Sequence, residues 1–301
     1  MYCLKFILSS IILITSAGSS FGQRSNEPRD FAEVVKTRVS QIKVKDVTGR
    51  SIRTLGLEDV CPVGTNAVAR RVFAEYGAVF VAAGTVNFPT RCVFESEAEV
   101  QAFQSTFSTR SVNLNGATIE LQSAAMDAFL EARKEGEQKN LRITPRGGSS
   151  AGRRSYMDTA RIWNSRFLPA LIHWGRLGKI ASDDAEAARN MSTQQQVEQV
   201  MEWESLGLYF ATDFSRTIFS SVAAPGTSQH LSMLALDVAQ FENAGVRSIL
   251  NKHGWFQTIA NDTPHFTFLG FKESELPDQG LKAYIKGGYK FWVPNIRQEL
   301  P

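Results

Sequence analysis

The sequence predicts an α+β protein, with helices grouped ahead of a small, mostly antiparallel sheet and a smaller α/β subdomain at the N-terminal end. Three observations carry this. Apolar residues recur at helical spacing through the middle of the chain, short β-prone runs gather after residue 230, and no repeat or long low-complexity tract interrupts them. At 301 residues and 43% apolar, the chain is long enough for one large domain or two small ones, with an ordinary globular composition.

Taken in order, Lys5 gives a positive start, Phe6 to Ala17 an apolar stretch, and Ser20-Phe21-Gly22 a small-residue pattern. These read as an export signal over residues 1–22, cleaved near Gly22–Gln23. The stretch is too short to span a bilayer comfortably, and Cys3 lacks the spacing of a lipoprotein site. The expected location is periplasmic or extracellular, with no stable membrane span after cleavage. Residues 23–45 are polar and read as a flexible lead-in. Ala67 to Tyr76 fits a helix, Ala78 to Ala82 a short strand, and Ser96 an N-cap for a helix through Phe103.

Cys61 and Cys92 remain after signal removal, which suggests one disulfide in an oxidising compartment. Closing a loop of about thirty residues stabilises by about 3–4 kcal/mol in the chain-entropy model. Two buried free thiols are the alternative; a zinc site is disfavoured because neither cysteine belongs to a CxxC pair. Residues 23–115 are therefore read as the lead-in and a disulfide-tied subdomain, and 116–301 as the second unit.

In that second unit Leu121, Ala125, Phe129 and Ala132 recur at helical spacing, and Leu141 to Thr144 reads as a strand. A loop over Gly147–Gly152 leads to a helix carrying Tyr156, Ala160, Trp163 and Phe167, which Pro169 perturbs or ends. Residues 182–210 form a polar, Gln-rich helical stretch. A strand from Met233 to Val238, a helix from Phe241 to Lys252, and strands around Phe256 and Phe266 complete the order. The formal charge of +3 and the absence of any Lys/Arg block of five argue against a nucleic-acid partner.

The chemistry concentrates in two segments, PGTSQHLSMLALD and NDTPHFTFLG. They supply His230, Asp237 and His265, two imidazoles and a carboxylate. Such a three-ligand set leaves the fourth position of zinc open, as in catalytic rather than structural sites. Of the four histidines, His173 beside Trp174 and His253 before Gly254 read as non-ligands. Each candidate has a plain alternative. His230 and His265 read alone fit a loop and a Phe-rich strand, and Asp262 lies in turn chemistry. Arg146, Arg153 and Arg154 read alone form a solvated basic cluster.

Together with Gly152-Arg153-Arg154-Ser155-Tyr156, these segments resemble the D-alanyl-D-alanine carboxypeptidase family of the VanY type, over residues 117–275. The resemblance implies a compact α+β fold with one Zn2+ that cleaves peptidoglycan stem peptides, typically beside D-alanine. It implies that His230, Asp237 and His265 ligate zinc, that Arg154 holds substrate near its scissile carbonyl, that Ser228 binds substrate, and that Asp262 is the catalytic carboxylate. Three positions depart from the family pattern: Asp262 replaces glutamate, Met233 glycine and Thr159 glutamine. A general base must come within about 2.6–3.2 Å of its proton, and aspartate is one carbon shorter. Two other readings therefore stay open, a zinc-containing cell-wall peptide binder of weak or no activity and an endopeptidase on the same site.

Overall fold

The computed structural model describes residues 27–45 and 50–297; the expected export signal lies outside them. The described chain is α+β, several helices around small antiparallel sheets. It opens with α1 (Phe31–Val39), whose N-cap Asp30 accepts from the Glu33 amide. A short hairpin of β1 (Lys43–Lys45) and β2 (Ser51–Thr54) follows, then α2 (Leu57–Val60) and α3 (Ala67–Tyr76). A buried 3-10 turn over Gly77–Val81 leads to α4 (Glu97–Gln104), capped by Ser96. The hairpin β3 (Thr109–Leu114) and β4 (Ala117–Gln122) runs directly into α5 (Ser123–Gln138).

The long helix α6 (Tyr156–Arg176) begins at a Ser155–Asp158 capping box. It is followed by α7 (Ser182–Asn190) and α8 (Thr193–Ser205). The central sheet has the order β5 (Ala235–Asp237), β7 (His265–Phe268), β6 (Trp255–Phe256), all antiparallel, with α9 (Ala244–Lys252) between β5 and β6 in sequence. A last hairpin, β8 (Leu281–Lys286) and β9 (Tyr289–Pro294), returns to the N-terminal end, where the Phe31 amide donates to the Asn295 carbonyl at 3.0 Å. No described helix is long and apolar enough to cross a membrane.

Several elements differ from the sequence expectation. Part of the expected lead-in is α1: Phe31, Val34, Val35 and Val39 form a helical stripe buried in the core, Phe31 against Phe73 at 4.9 Å. Ala78 to Ala82 is a buried 3-10 turn and its end rather than a strand, since a fully apolar run has no period to distinguish the two. Leu141 to Thr144 is irregular, and Pro145 makes a single bridge to Val238. Pro169 lies inside α6, which continues because Trp163, Phe167, Ala170 and Leu171 bury one face of it. The 182–210 stretch is two helices, and the strand expected from Met233 is confined to Ala235–Asp237.

The hairpin over Thr109–Gln122, not expected from the sequence analysis, turns at Asn115-Gly116, both with φ above +50° (55° and 83°) as a tight primed turn requires. Position 115/116, the expected border between units, is the tip of this hairpin. Side chains from before and after it share one apolar core running from Phe31 to Trp292. The Cys61–Cys92 disulfide is formed, with Cα atoms 4.9 Å apart.

One backbone contact fastens this N-terminal part to the segment carrying His230. Gly226 has φ +77°, and a Cβ there would lie 1.8 Å from the Phe94 carbonyl oxygen. That approach lets the Phe94 amide donate to the Gly226 carbonyl at 2.9 Å, while the Gly226 amide donates to Thr159 Oγ1 at 3.1 Å. Thr159 is therefore a buried bracket for this turn. Gly226→Ala should combine left-handed strain with overpacking and cost about 2–5 kcal/mol. Urea unfolding checks this, and an unchanged midpoint would show that the contact does not matter.

Candidate functional site

Register places the first two candidate ligands. In the β5–β7 ladder Asp237 pairs directly with His265, Leu236 with Phe266 and Ala235 with Thr267. Successive strand side chains alternate faces, so Asp237 and His265 share one face. His230 comes from the 3-10 turn Gln229–Ser232, which ends just ahead of β5. The candidate donor atoms of His230, Asp237 and His265 all lie within 4.8 Å of one another. Asp237 Oδ1 is 3.5 Å from His230 Nε2 and 3.4 Å from His265 Nδ1.

The other ring nitrogen of each histidine is occupied. His230 Nδ1 lies 2.8 Å from the Gly152 carbonyl, which can only accept, so Nδ1 carries the proton and Nε2 keeps a lone pair facing Asp237. His265 Nε2 lies 2.9 Å from Gln229 Oε1. Gly152 reaches His230 because it lacks a side chain: a Cβ there would stand 2.9 Å from the Glu120 carbonyl on β4. Both imidazoles are buried, at 1% and 2% exposure.

Electrostatics favours the ligand-ready protonation states. Burial first, and then the Arg154 charge, push His230 down to about 4, against the pull of Asp237. Burial alone would raise Asp237, but its carboxyl is held below its ordinary range by the two imidazoles whenever they carry a proton, and Arg154 donates to Oδ2 of the ionised carboxylate at 2.8 Å. Near neutral pH the set is thus a neutral imidazole facing an ionised carboxylate. Metal binding needs those states. The donor types, their burial and their convergence fit zinc.

Arg154 is the arginine of the basic cluster that reaches this group. Its Nη2 donates to Asp237 Oδ2 at 2.8 Å, leaving Oδ1 toward the two imidazoles, and its Nε donates to the Ser150 carbonyl. Arg153 turns away, donating to Gln104 Oε1 and Glu120 Oε2. Ser228 caps the turn, its Oγ accepting from the His230 amide at 3.4 Å.

His230, Asp237, His265, Arg154 and Ser228 line a cleft of about 490 Å³, together with Asp262, Arg146 and Arg166. Asp262 lies outside the three-donor group. Asp262 is exposed to solvent in the cleft, whose walls remove part of its hydration. That loss pushes its carboxyl up, aided by Asp237 and opposed by His265, Arg154 and Arg146. Met233 does not line the cleft. It is buried with φ +57°, the left-handed conformation that glycine adopts freely, so the departure from the family's glycine bears on backbone strain rather than cleft width.

No family model matches the chain, and no curated protein does. Among solved structures, the chain is similar to the LdcB LD-carboxypeptidase, a structure described as revealing peptidoglycan recognition. The identity is 15% and the TM-score 0.31, over 56% of this chain and 67% of that one. It is also similar to a mutant of the vancomycin-resistance D,D-pentapeptidase VanY in complex with Zn(II), at 14% identity and TM-score 0.30, over 55% of this chain and 82% of that one. The side chains of the site, not these likenesses, carry the functional reading.

Sequence reasoning did not find Gln229, the Gly152 carbonyl or Arg166. Gln229 stands next to His230 in sequence, but its partner His265 is 36 residues away, and only folding joins them.

The site has a pH signature. As pH falls below 6.5 the unfolded chain protonates its imidazoles, whereas folded His230 stays neutral until about 4. Stability of the metal-free protein should therefore fall across pH 6.5 to 4. Asp237, held below its ordinary range, extends the loss to lower pH. Urea midpoints of chelator-treated protein at several pH values measure this; a flat profile above pH 4 would contradict the buried neutral imidazole.

Proposed function

We propose that this protein is an exported zinc-dependent metallopeptidase acting on peptidoglycan stem peptides, most simply as a D-alanyl-D-alanine carboxypeptidase. The observation that carries the reading is the convergence of His230 Nε2, His265 Nδ1 and Asp237 Oδ1 beside a cleft that also holds Arg154 and Asp262. The ordered sequence elements from Gly152 to Gly270 support it. Zinc held by His230, Asp237 and His265 would supply Lewis acidity and lower the pKa of a water to about 7.

The chain's own residues account for the remaining tasks. Asp262 takes the proton that the attacking water loses and returns it to the leaving amine. Desolvation in the cleft raises its carboxyl above the ordinary aspartate range, the direction that strengthens it as a base. Arg154, fixed by Asp237 and the Ser150 carbonyl, presents its guanidinium to the charge that develops on the scissile carbonyl oxygen. Ser228 positions the peptide at the cleft wall.

Cleavage at a chain end is favoured over internal cleavage by the charge of the cleft. Arg166 donates to Ser221 Oγ and Ser165 Oγ, and Arg146 lies over the Phe241 ring at 5.5 Å. Neither lies within ion-pair distance of a carboxylate among the described residues, although Arg146 shares the cleft with Asp262. A substrate's terminal carboxylate suits such guanidinium groups. A second reading, a zinc-containing peptide binder without turnover, draws on the short side chain of Asp262.

Purified mature protein should contain about one zinc per chain, lost in His230→Ala and retained in Asp262→Asn. Retention of stoichiometric zinc by His230→Ala would sink the ligand assignment. Release of D-alanine from a stem peptide should stop with chelator and drop by about 10²–10⁴ in Asp262→Asn. Mass analysis of muropeptide digests separates the alternatives: internal fragments indicate an endopeptidase, and binding without any product indicates a silent binder.

A further inference from the structure

The structure assigns to Gln229 the role of positioning residue for His265. We infer that its side-chain amide fixes the His265 ring in the Nε2–H tautomer and so aims the Nδ1 lone pair at Asp237 and His230. The inference rests on the metal-site reading above only for its consequence, not for the geometry.

The orientation of the Gln229 amide is not free. Its Nε2 donates to the Tyr76 carbonyl at 2.8 Å, and a carbonyl cannot donate in return. Oε1 must therefore face the opposite way, where it meets His265 Nε2 at 2.9 Å and the hydroxyls of Thr267 and Thr258. An amide oxygen only accepts, so His265 Nε2 must carry the hydrogen. In the neutral ring Nδ1, 3.4 Å from Asp237 Oδ1, then has the lone pair to offer. Gln229, Thr258, Thr267 and His265 are each at most 3% exposed, so these bonds form away from bulk solvent.

The arrangement complements that of His230. There the Gly152 carbonyl fixes the proton on Nδ1; here an amide oxygen fixes it on Nε2. One ring offers Nε2 and the other Nδ1, and both face Asp237 Oδ1. Tyr76 ends α3, so its carbonyl makes the N-terminal part of the chain an outer support of the site. That gives residues before 115 a role their own sequence does not announce.

The test is direct. Nitrogen NMR of the metal-free wild-type protein at pH 7 should show His265 protonated on Nε2 and His230 on Nδ1. A His265 signal from the Nδ1–H tautomer would overturn the inference without any variant. In Gln229→Met the His265 tautomer preference should be lost, and zinc affinity by chelator competition should weaken about 10–100-fold. Gln229→Glu keeps the acceptor toward His265 but loses the donor to the Tyr76 carbonyl, so it should retain the Nε2–H signature while lowering the urea midpoint. Gln229→Met with wild-type tautomer and affinity would refute the assignment. If wild-type protein shows the expected tautomers but takes up no zinc, the metal reading fails while the role of Gln229 stands.

Discussion

The site depends on one cross-strand pair. Asp237 opposite His265 in the β5–β7 ladder places a carboxylate and an imidazole on the same face at contact distance. Because side chains alternate along a strand, a slip of one residue would put Leu236 or Phe266 on that face and break the set. The hydrophobic alternation on the other face guards the register, since Leu236 and Phe266 are fully buried there. Short strands of two to four residues are weak alone. Here the ladder is extended by the Arg146 amide donating to the Asp237 carbonyl and the Val238 amide donating to Pro264.

Around this pair, the polar groups of a dry region are satisfied by amide side chains from distant elements. The turn bearing His230 has its Leu231 carbonyl held by Gln104 from α4 and its Ser232 carbonyl by Gln122 from β4. Unpaired, each of those carbonyls would cost about 1–3 kcal/mol. These glutamines therefore act as a scaffold for His230, with Gln229 serving His265 in the same manner. Met233 closes the turn in a left-handed conformation that costs a non-glycine residue about 1–2 kcal/mol. Its buried side chain offsets part of that strain.

The N-terminal third belongs to this architecture. The disulfide holds Cys92 near Val60, two residues before Phe94, and Phe94 clamps Gly226. Tyr76 reaches the site through Gln229. The border expected at 115/116 is instead a hairpin tip inside a shared core, because β-hairpin turns and domain linkers use the same Asn, Gly and polar residues.

By itself the sequence determined the α+β class, the Cys61–Cys92 pairing, the helices with clear periodicity such as α3, α4 and α6, and the segments that contribute His230, Asp237 and His265. These are local signals: period, capping residues and short motifs with fixed spacing. Only the tertiary structure decided that Arg154 is held by Asp237 and the Ser150 carbonyl, that Met233 sits in a left-handed turn outside the cleft, and that Arg166 joins the wall. It also decided which nitrogen of each imidazole is free. Those outcomes depend on groups far apart in the chain, a Gly152 carbonyl 78 residues from His230 and a glutamine amide anchored 153 residues away on Tyr76. A tautomer is set by whatever touches the ring, and contact across such distances exists only once the chain has folded.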